Sequence, residues 1–300
     1  MLIRNFTQLR EEARRVGPRT VVIADAQDHE ALLAARDAEE RGIANFVLIG
    51  DAAAIEQEAA EHQVDISGMK LVQEADRRAA AYRAMEMLSS GEVHCAMKGR
   101  IFTADFLKAA LDPAVRLRTG KLLTHVAVFD IPGFDRLLLL SDAGVVVAPN
   151  LEQKMHIVQN AVDVAHRLGI EVPRVAILAA AEMVNPKIPS TMDAANLSKM
   201  ADRGQIYGAI VDGPLALDNA ISPEAARIKG IHSQVAGQAD ILIAPDLEAG
   251  NALAKAIIYF ARSDLAGVVV GARMPLILPS RADTHEAKMM SIVLGVLMSA

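Results

Sequence analysis

The chain has 300 residues, 52% of them hydrophobic, 23% charged and only 3% aromatic, with a net charge of −6. That length is long for one core and comfortable for two domains, and the aliphatic content excludes a disordered chain. The negative balance argues against non-specific nucleic-acid binding, which needs a basic surface. Cys95 is the only cysteine, so no intramolecular disulfide can form, and a reducing compartment is expected. Arg10, Glu11, Glu12, Arg14 and Arg15 interrupt any export segment near the start. No apolar run reaches the roughly 18 residues that a membrane helix needs. The expectation is a soluble cytoplasmic protein with neither nucleic acid nor membrane as partner.

Residues 1–18 carry an amphipathic helical pattern that ends near Gly17-Pro18. Thr20-Val21-Val22-Ile23-Ala24-Asp25 is a continuous apolar run, the mark of a strand buried on both faces. Helical spacing over 28–42 stops at Gly42, and 45–50 is a second strand. Strand, helix and strand over about thirty residues make a βαβ unit. The pattern repeats with a helix over 51–62, a short strand over 70–72 and a helix over 74–89. The run Val93-His94-Cys95-Ala96-Met97-Lys98-Gly99 reads as the next buried strand. Ligands of open α/β sheets bind beyond the carboxyl ends of strands. Lys98 at a strand end, with Thr103 opening the next helix, is therefore a candidate anion contact. The plain alternative is a solvated lysine. His94 and Cys95 read as packed strand residues, because without a partner they form no nucleophile constellation.

The stretch 115–121 is basic, with Arg116, Arg118 and Lys121. Strands over 124–129 and 136–142 come after it with no helix between them, so their pairing is expected to be antiparallel. This break is the expected passage between a first domain, 1–138 plus 284–300, and a second, 139–283. The second series begins with a helix over 152–168 and a strand over 174–178. Ser190 with Asp193 has capping-box spacing for a helix to about Arg203. A strand over 205–211 ends at Asp212-Gly213-Pro214, a turn by composition. One helix to about Lys229, a strand over 239–244 and a helix over 251–262 come next. Asp246 and Glu248 are most simply loop and helix-start residues. Gly250 allows close chain approach, and Asn251 is placed to hydrogen-bond backbone. The tail of the chain is expected to return to the first domain. Just before it, Ser280, Arg281 and Asp283 fall within four residues, and Asp283 with Glu286 has capping-box spacing. A helix mouth favours anions, and an arginine fork matches phosphate.

Three segments stand in a telling order. They are Asp212-Gly213-Pro214-Leu215 with Asp218, then Pro245-Asp246-Leu247-Glu248-Ala249-Gly250-Asn251, then Ser280-Arg281. As an ordered set they resemble the phosphate acetyl/butyryl transferase family over nearly the whole chain from Thr20. Met97-Lys98-Gly99, Asn185-Pro186-Lys187, the run Leu215-Ala216-Leu217-Asp218-Asn219-Ala220-Ile221-Ser222 and Ser280-Arg281-Ala282-Asp283 look more like the butyryl branch than the acetyl one.

The resemblance implies the reaction acyl-CoA + phosphate ⇌ acyl phosphate + CoA. It implies a two-domain α/β/α fold related to isocitrate and isopropylmalate dehydrogenases, with the active site in a cleft between domains, and a homodimer. Coenzyme A enters as substrate and product; no tightly bound cofactor and no protein-bound metal is implied. By resemblance Arg281 binds phosphate and helps hold the carbonyl oxygen. Ser280 donates to the oxyanion or the leaving sulfur, and a carboxylate, Asp283 or Glu286, handles the thiol proton. Substrate-binding candidates are Lys98, Thr103, Arg118, Lys121, Asp212, Asp218, Asp246, Glu248 and Asn251. Two positions depart from the acetyl branch: its acidic residue seven places after the serine falls on Ala287, and its arginine before the strand at Thr124 falls on Leu123. Arg118 or Lys121 are the available substitutes for that arginine. Three alternatives are acetyl specificity, a dehydrogenase of the related fold, and a non-catalytic CoA-binding protein. The dehydrogenase would need a nicotinamide site and a metal-binding carboxylate cluster. No G-x-G-x-x-G and no metal-ligand cluster is visible in the sequence.

Overall fold

Apolar runs between polar caps fold here into parallel strands linked by Ala-rich helices, as all 300 residues of the computed structural model show. Helix α1 (Phe6–Val16) leads into β1 (Arg19–Ala24), whose last four residues are buried. Then come α2 (His29–Glu40), β2 (Ala44–Gly50), α3 (Ala52–Glu61), β3 (Lys70–Gln73), α4 (Arg77–Ser90) and β4 (Cys95–Lys98). Helices α2, α3 and α4 each start on an aspartate, Asp28, Asp51 and Asp76, whose side chain accepts from the first turn. That satisfies N–H groups which would otherwise have no partner. Helix α5 (Thr103–Ala110) starts differently, because its N-cap residue Phe102 supplies no side-chain hydrogen bond.

The chain continues through β5 (Thr124–Asp130), β6 (Leu138–Ser141), α6 (Leu151–Arg167), β7 (Arg174–Leu178), α7 (Pro189–Asp202) and β8 (Ile210–Leu215). After these come α8 (Leu217–Ile221), α9 (Pro223–Ile228), β9 (Ile241–Ile243) and α10 (Leu247–Phe260). The last elements are β10 (Asp264–Val270), β11 (Leu276–Ile277) and α11 (His285–Met298). No helix is long and apolar enough to cross a membrane.

Two compact units divide the chain. One joins Phe6–Lys121 to Leu265–Ala300; the other joins Met1–Asn5 to Leu122–Asp264. The passages fall at Lys121/Leu122 and Asp264/Leu265, earlier on both counts than the expected 138/139 and 283/284. The reason is strand pairing. β5 belongs with its antiparallel partner β6, and β11 lies parallel to β4 with β10 folded back on it.

In the unit holding β1, the strands run in the order β3-β2-β1-β4-β11-β10. The order reverses after β3, because the chain returns across β1 to place β4 on its other side. Right-handed crossovers then put α4 on the opposite sheet face from α2. A crevice opens at such a reversal, beyond the carboxyl ends of β1 and β4. Helix α11 packs on α2 and α1, so the tail does return to the start of the chain. Its buried face includes Met289 and Met290, as expected of core residues.

The other unit has the order β5-β6-β9-β7-β8, with β5 and β6 antiparallel as expected and the remaining pairs parallel. Asp212, Gly213 and Pro214 lie inside β8, not in a turn after it. Gly213 sits against Ile177 and Ala194, where a Cβ would clash, so the glycine is a packing requirement. The expected single helix to Lys229 is two, α8 and α9, broken at Ser222-Pro223, whose serine caps the second. The expected capping box at Ser190 and Asp193 is absent. Helix α7 starts on Ile188 and Pro189, and Asp193 pairs with the buried Lys154 at 2.8 Å.

Gly250 on α10 lets that helix approach the chain at Asp142, whose carbonyl oxygen would lie 2.4 Å from an added Cβ. Because the obstacle is backbone, Gly250→Ala should cost about 1–3 kcal/mol. Urea unfolding should show a lower midpoint at unchanged slope; an unchanged midpoint would show that α10 can shift freely.

Candidate active site

Register fixes the site. Ala24 pairs with Lys98 and Met97 with Ile277, so the ends of β1, β4 and β11 finish side by side. Each end runs out into polar and charged residues: Asp25 after β1, Lys98 and Arg100 at β4, and Ser280, Arg281 and Asp283 shortly after β11.

Asp25 is 1% exposed and has a positive φ of 59°. Gly99 is packed against it so closely that an added Cβ would overlap the Asp25 carbonyl oxygen. That carbonyl accepts from the Arg100 N–H at 2.9 Å. Arg77 Nε lies 3.3 Å from Asp25 Oδ2, an ion pair without hydrogen-bond geometry. Burial pushes the Asp25 carboxyl above the usual carboxylate range, against the pull of Arg77, Arg100, Lys98 and Arg281.

Lys98 is 4% exposed, and its ammonium donates to the Gly99 carbonyl at 3.3 Å. It is therefore not the solvated lysine of the plain reading. Burial lowers its pKa from the ordinary lysine value, and Arg281 and Lys288 push the same way, while Asp28 and Asp283 oppose them. Lys288 on α11 is 1% exposed and donates to both Asp28 oxygens, at 3.0 and 3.2 Å. Asp28 Oδ1 also accepts from the Ala31 N–H, so one carboxylate caps α2 and holds α11.

Arg281 is exposed. Its guanidinium stacks 4.8 Å over the Phe102 ring and donates to the Arg100 carbonyl at 3.4 Å. Phe102 is the N-cap residue of α5, so this cation lies beside the helix start that lacks a side-chain cap, where Thr103 is exposed. A cavity of about 300 Å³ is lined by Gln27, Asp28, His29, Glu30, Arg77, Arg100 and Arg281. Three arginines among the lining residues suit a multiply charged oxyanion, although Asp28 and Glu30 line the same cavity.

Ser280 and Asp283 form a local turn. The Ser280 N–H donates to Asp283 Oδ2 at 2.8 Å, and Ser280 Oγ accepts from Ala282 at 3.4 Å. The expected capping box of Asp283 and Glu286 is absent: Thr284 is the N-cap of α11 and accepts from Ala287. Glu286 is exposed in the first turn of α11. Arg118 and Lys121 are not brought to this end. Arg118 bridges to Ala272, and Lys121 comes just after Thr119, whose hydroxyl donates to Gly271. Both contacts are at the β10–β11 turn, the opposite end of β11 from Ser280.

Within the other unit, one family-like segment begins inside β8 and the other comes after β9, and most of their side chains already have structural partners. Asp246 caps α10 by accepting from Ala249 at 2.8 Å. Asn251 donates to the Ala143 carbonyl at 3.2 Å. Asp218 accepts from Lys229 and from the Asn219 N–H, and the Lys229 hydrogen bond leads in holding its carboxyl below the usual range. Asp212 accepts from the Gly213 N–H, and Glu248 is exposed in the first turn of α10.

The family described as "Phosphate acetyl/butaryl transferase" matches residues 5–81 and 74–296. The chain belongs to this family. It is thus an acyltransferase by membership, and its relatives agree. A phosphate butyryltransferase of Clostridium acetobutylicum is 46% identical over 298 residues, 99% of each chain. A phosphate acetyltransferase of Rhizobium meliloti is 43% identical, covering 98% of this chain and 93% of its own. A branched-chain phosphotransacylase from Enterococcus faecalis V583 superposes with a TM-score of 0.84 at 31% identity, covering 94% of this chain and 99% of its own. A 4-hydroxythreonine-4-phosphate dehydrogenase from Klebsiella pneumoniae, at 13% identity and TM-score 0.58, covers 95% of this chain and all of its own, and shares the fold.

Of the residues gathered at these strand ends, Lys98, Ser280, Arg281 and Asp283 were candidates from the sequence, and Asp25, Asp28, Arg77, Arg100 and Lys288 were not. Only the strand order brings the β1–α2 and β4–α5 loops together, and no local spacing reports it. The one usable signal was Asp25 closing an apolar run, the same feature that singled out Lys98.

If these cations form an anion site, phosphate at about 100 times its Kd should stabilise the fold by about 2.7 kcal/mol. The thermal midpoint of the wild type should rise with phosphate, and Arg281→Ala should lose most of that rise. Solute exclusion acts on both proteins alike, so equal rises would remove Arg281 from the site.

Proposed function

We propose that the chain transfers a short acyl group between coenzyme A and inorganic phosphate, acyl-CoA + phosphate ⇌ acyl phosphate + CoA, with butyryl-type substrates as the main reading. The observation that carries it is the Arg77, Arg100, Arg281 and Lys98 cluster at the ends of β1 and β4, in a chain of this family. Phosphate docks against Arg281, supported by Arg100 and Lys98. A phosphate oxygen attacks the thioester carbonyl carbon; the C–S bond breaks as the C–O bond forms. CoA leaves with the sulfur electron pair, and the proton lost by phosphate ends on the thiol.

Charge stabilisation and positioning carry the rate in such a transfer. Ser280 Oγ donates to the developing oxyanion or to the sulfur. Asp283 is the better-placed proton acceptor, since it is half-buried, held by the Ser280 N–H and within the field of Lys98. Glu286, one turn further on, is the second candidate. Thr103 adds the free N-terminus of α5. Asp212, Asp218 and Glu248 remain candidates for contacts to the CoA portion, whereas Asp246 and Asn251 act by shaping the start of α10. Arg118 and Lys121 join the CoA-binding candidates as cations outside the Arg281 cluster.

Acetyl specificity is the second reading, supported by the 43% identity to a phosphate acetyltransferase. One methylene in a pocket is worth only about 1–3 kcal/mol of discrimination. A homodimer is part of the proposal, with Tyr259 and Phe260 exposed at the end of α10 as apolar surface. A cytoplasmic setting fits the single buried, unpaired Cys95.

The test is release of free CoA thiol from acetyl-, propionyl- and butyryl-CoA with and without phosphate. Butyryl-CoA should give the fastest phosphate-dependent release. Arg281→Ala should lower kcat/KM by about 10²–10³-fold, the scale of one lost oxyanion donor. Ser280→Ala should lower kcat more than it raises KM for the thioester. Release that ignores phosphate, or wild-type turnover in Arg281→Ala, overturns the assignment; CoA binding without turnover points to a binding protein.

A further inference from the structure

We propose that His29, Glu58 and His62 form a binding site for a divalent transition metal of the zinc class. The three residues lie in one unit, His29 opening α2 and Glu58 and His62 one turn apart at the end of α3. No local spacing joins His29 to the other two, which is why the sequence offered no metal-ligand cluster. His29 Nδ1 lies 3.3 Å from Glu58 Oε1, and His62 Nε2 lies 3.8 Å from the same oxygen. The two rings stack with centroids 4.1 Å apart and planes 16° apart. One donor atom from each residue lies within 4.8 Å of the other two.

Zinc held at about 2.0–2.1 Å by tetrahedral ligands sets donor atoms about 3.4 Å apart. The two edges through Glu58 are near that separation. The in-plane lone pairs of the stacked rings run nearly parallel, so joint ligation requires one of the two part-exposed rings to swing out of the stack toward Glu58. Two imidazoles and one carboxylate leave a fourth position for water. Nitrogen donors select zinc, nickel or copper over magnesium and calcium, which prefer oxygen.

A second feature separates this cluster from ordinary surface ion pairs. The far nitrogen of His29, Nε2, faces Glu30 Oε1 at 3.6 Å, and Glu30 Oε2 faces His285 Nδ1 at 3.6 Å. A histidine that ligates metal characteristically presents its other ring nitrogen to a carboxylate, which fixes tautomer and orientation. Glu30 is placed for that role, while Glu58 is on the ligand side. His29 and Glu30 also line the cavity that contains Arg281, so the metal would sit at its rim.

The test uses the full chain, stripped with chelator and freed of it by gel filtration. Zinc is titrated in competition with a chromophoric chelator, and cobalt binding is followed by its visible absorption. Wild type should bind one zinc per chain with a Kd of micromolar or below, and cobalt should give a tetrahedral-type band. His29→Ala, His62→Ala and Glu58→Gln should each weaken zinc at least tenfold and remove the cobalt band, with circular dichroism unchanged. His156→Ala, on α6, should bind as wild type. Absence of stoichiometric binding in the wild type, or a cobalt band that persists in His62→Ala, overturns the site. The readout is metal binding, so its failure leaves the acyl-transfer reading untouched.

Discussion

The cations of the candidate site gather around one buried carboxylate. Asp25 ends β1 in a left-handed backbone conformation, and Arg77, Arg100, Lys98 and Arg281 all act on its charge. Four cations near these strand ends repel one another, and Lys98 already has its pKa lowered by burial and by Arg281. The buried Asp25 carboxylate offsets part of that repulsion. Its own burial opposes ionisation, so the cations and the carboxylate each make the other's charged form tolerable. A single unpaired charge at that depth would cost several kcal/mol. The Asp28–Lys288 pair repeats the device one turn further on and ties α11 to the start of α2.

The family-like segments divide along the same line. In Ser280-Arg281 the side chains are exposed and lightly committed, as a ligand contact requires. In the segment after β9, Asp246 is used up in capping, Gly250 in close packing and Asn251 in holding the Ala143 carbonyl. A shared motif can therefore record the need for a particular loop shape as much as contact with a ligand. Glu248, exposed and adjacent to these, is the side chain in that segment with most freedom to reach outward.

The fold was legible where pattern and burial coincide. The apolar runs of β1, β2, β4 and β7 could be read because strands covered on both faces carry no polar alternation. The antiparallel β5–β6 pair could be inferred from the missing helix between them. What failed was local chemistry read without its tertiary setting. Asp212-Gly213-Pro214 has turn composition, yet Gly213 is there to fit against Ile177 and Ala194. The spacing Ser190 to Asp193 suits a cap, yet Asp193 is drawn to a buried lysine. Of the gathered residues, Lys98, Ser280 and Arg281 carried a local signal, and Asp28, Arg77, Arg100 and Lys288 on neighbouring loops and helices did not. Strand order decides which loops meet, and it is a long-range property.

The remaining chemistry of the site favours direct attack by phosphate over a covalent acyl-enzyme. A thiol nucleophile must ionise, and Cys95 is fully buried in β4, where burial pushes its pKa up and its Sγ donates to the Pro275 carbonyl. A serine nucleophile needs a base at its oxygen. Ser280 Oγ instead accepts a backbone N–H, and the nearby histidine, His285, faces Glu30. Neither side chain is activated in this arrangement, which favours a nucleophile that arrives with the substrate. A cluster of arginines is the arrangement that would collect it, since it binds a doubly charged oxyanion while leaving an oxygen free to attack. In the proposed transfer the same cations would hold the charge as it moves toward the carbonyl oxygen, so one set of side chains would serve both binding and the transition state.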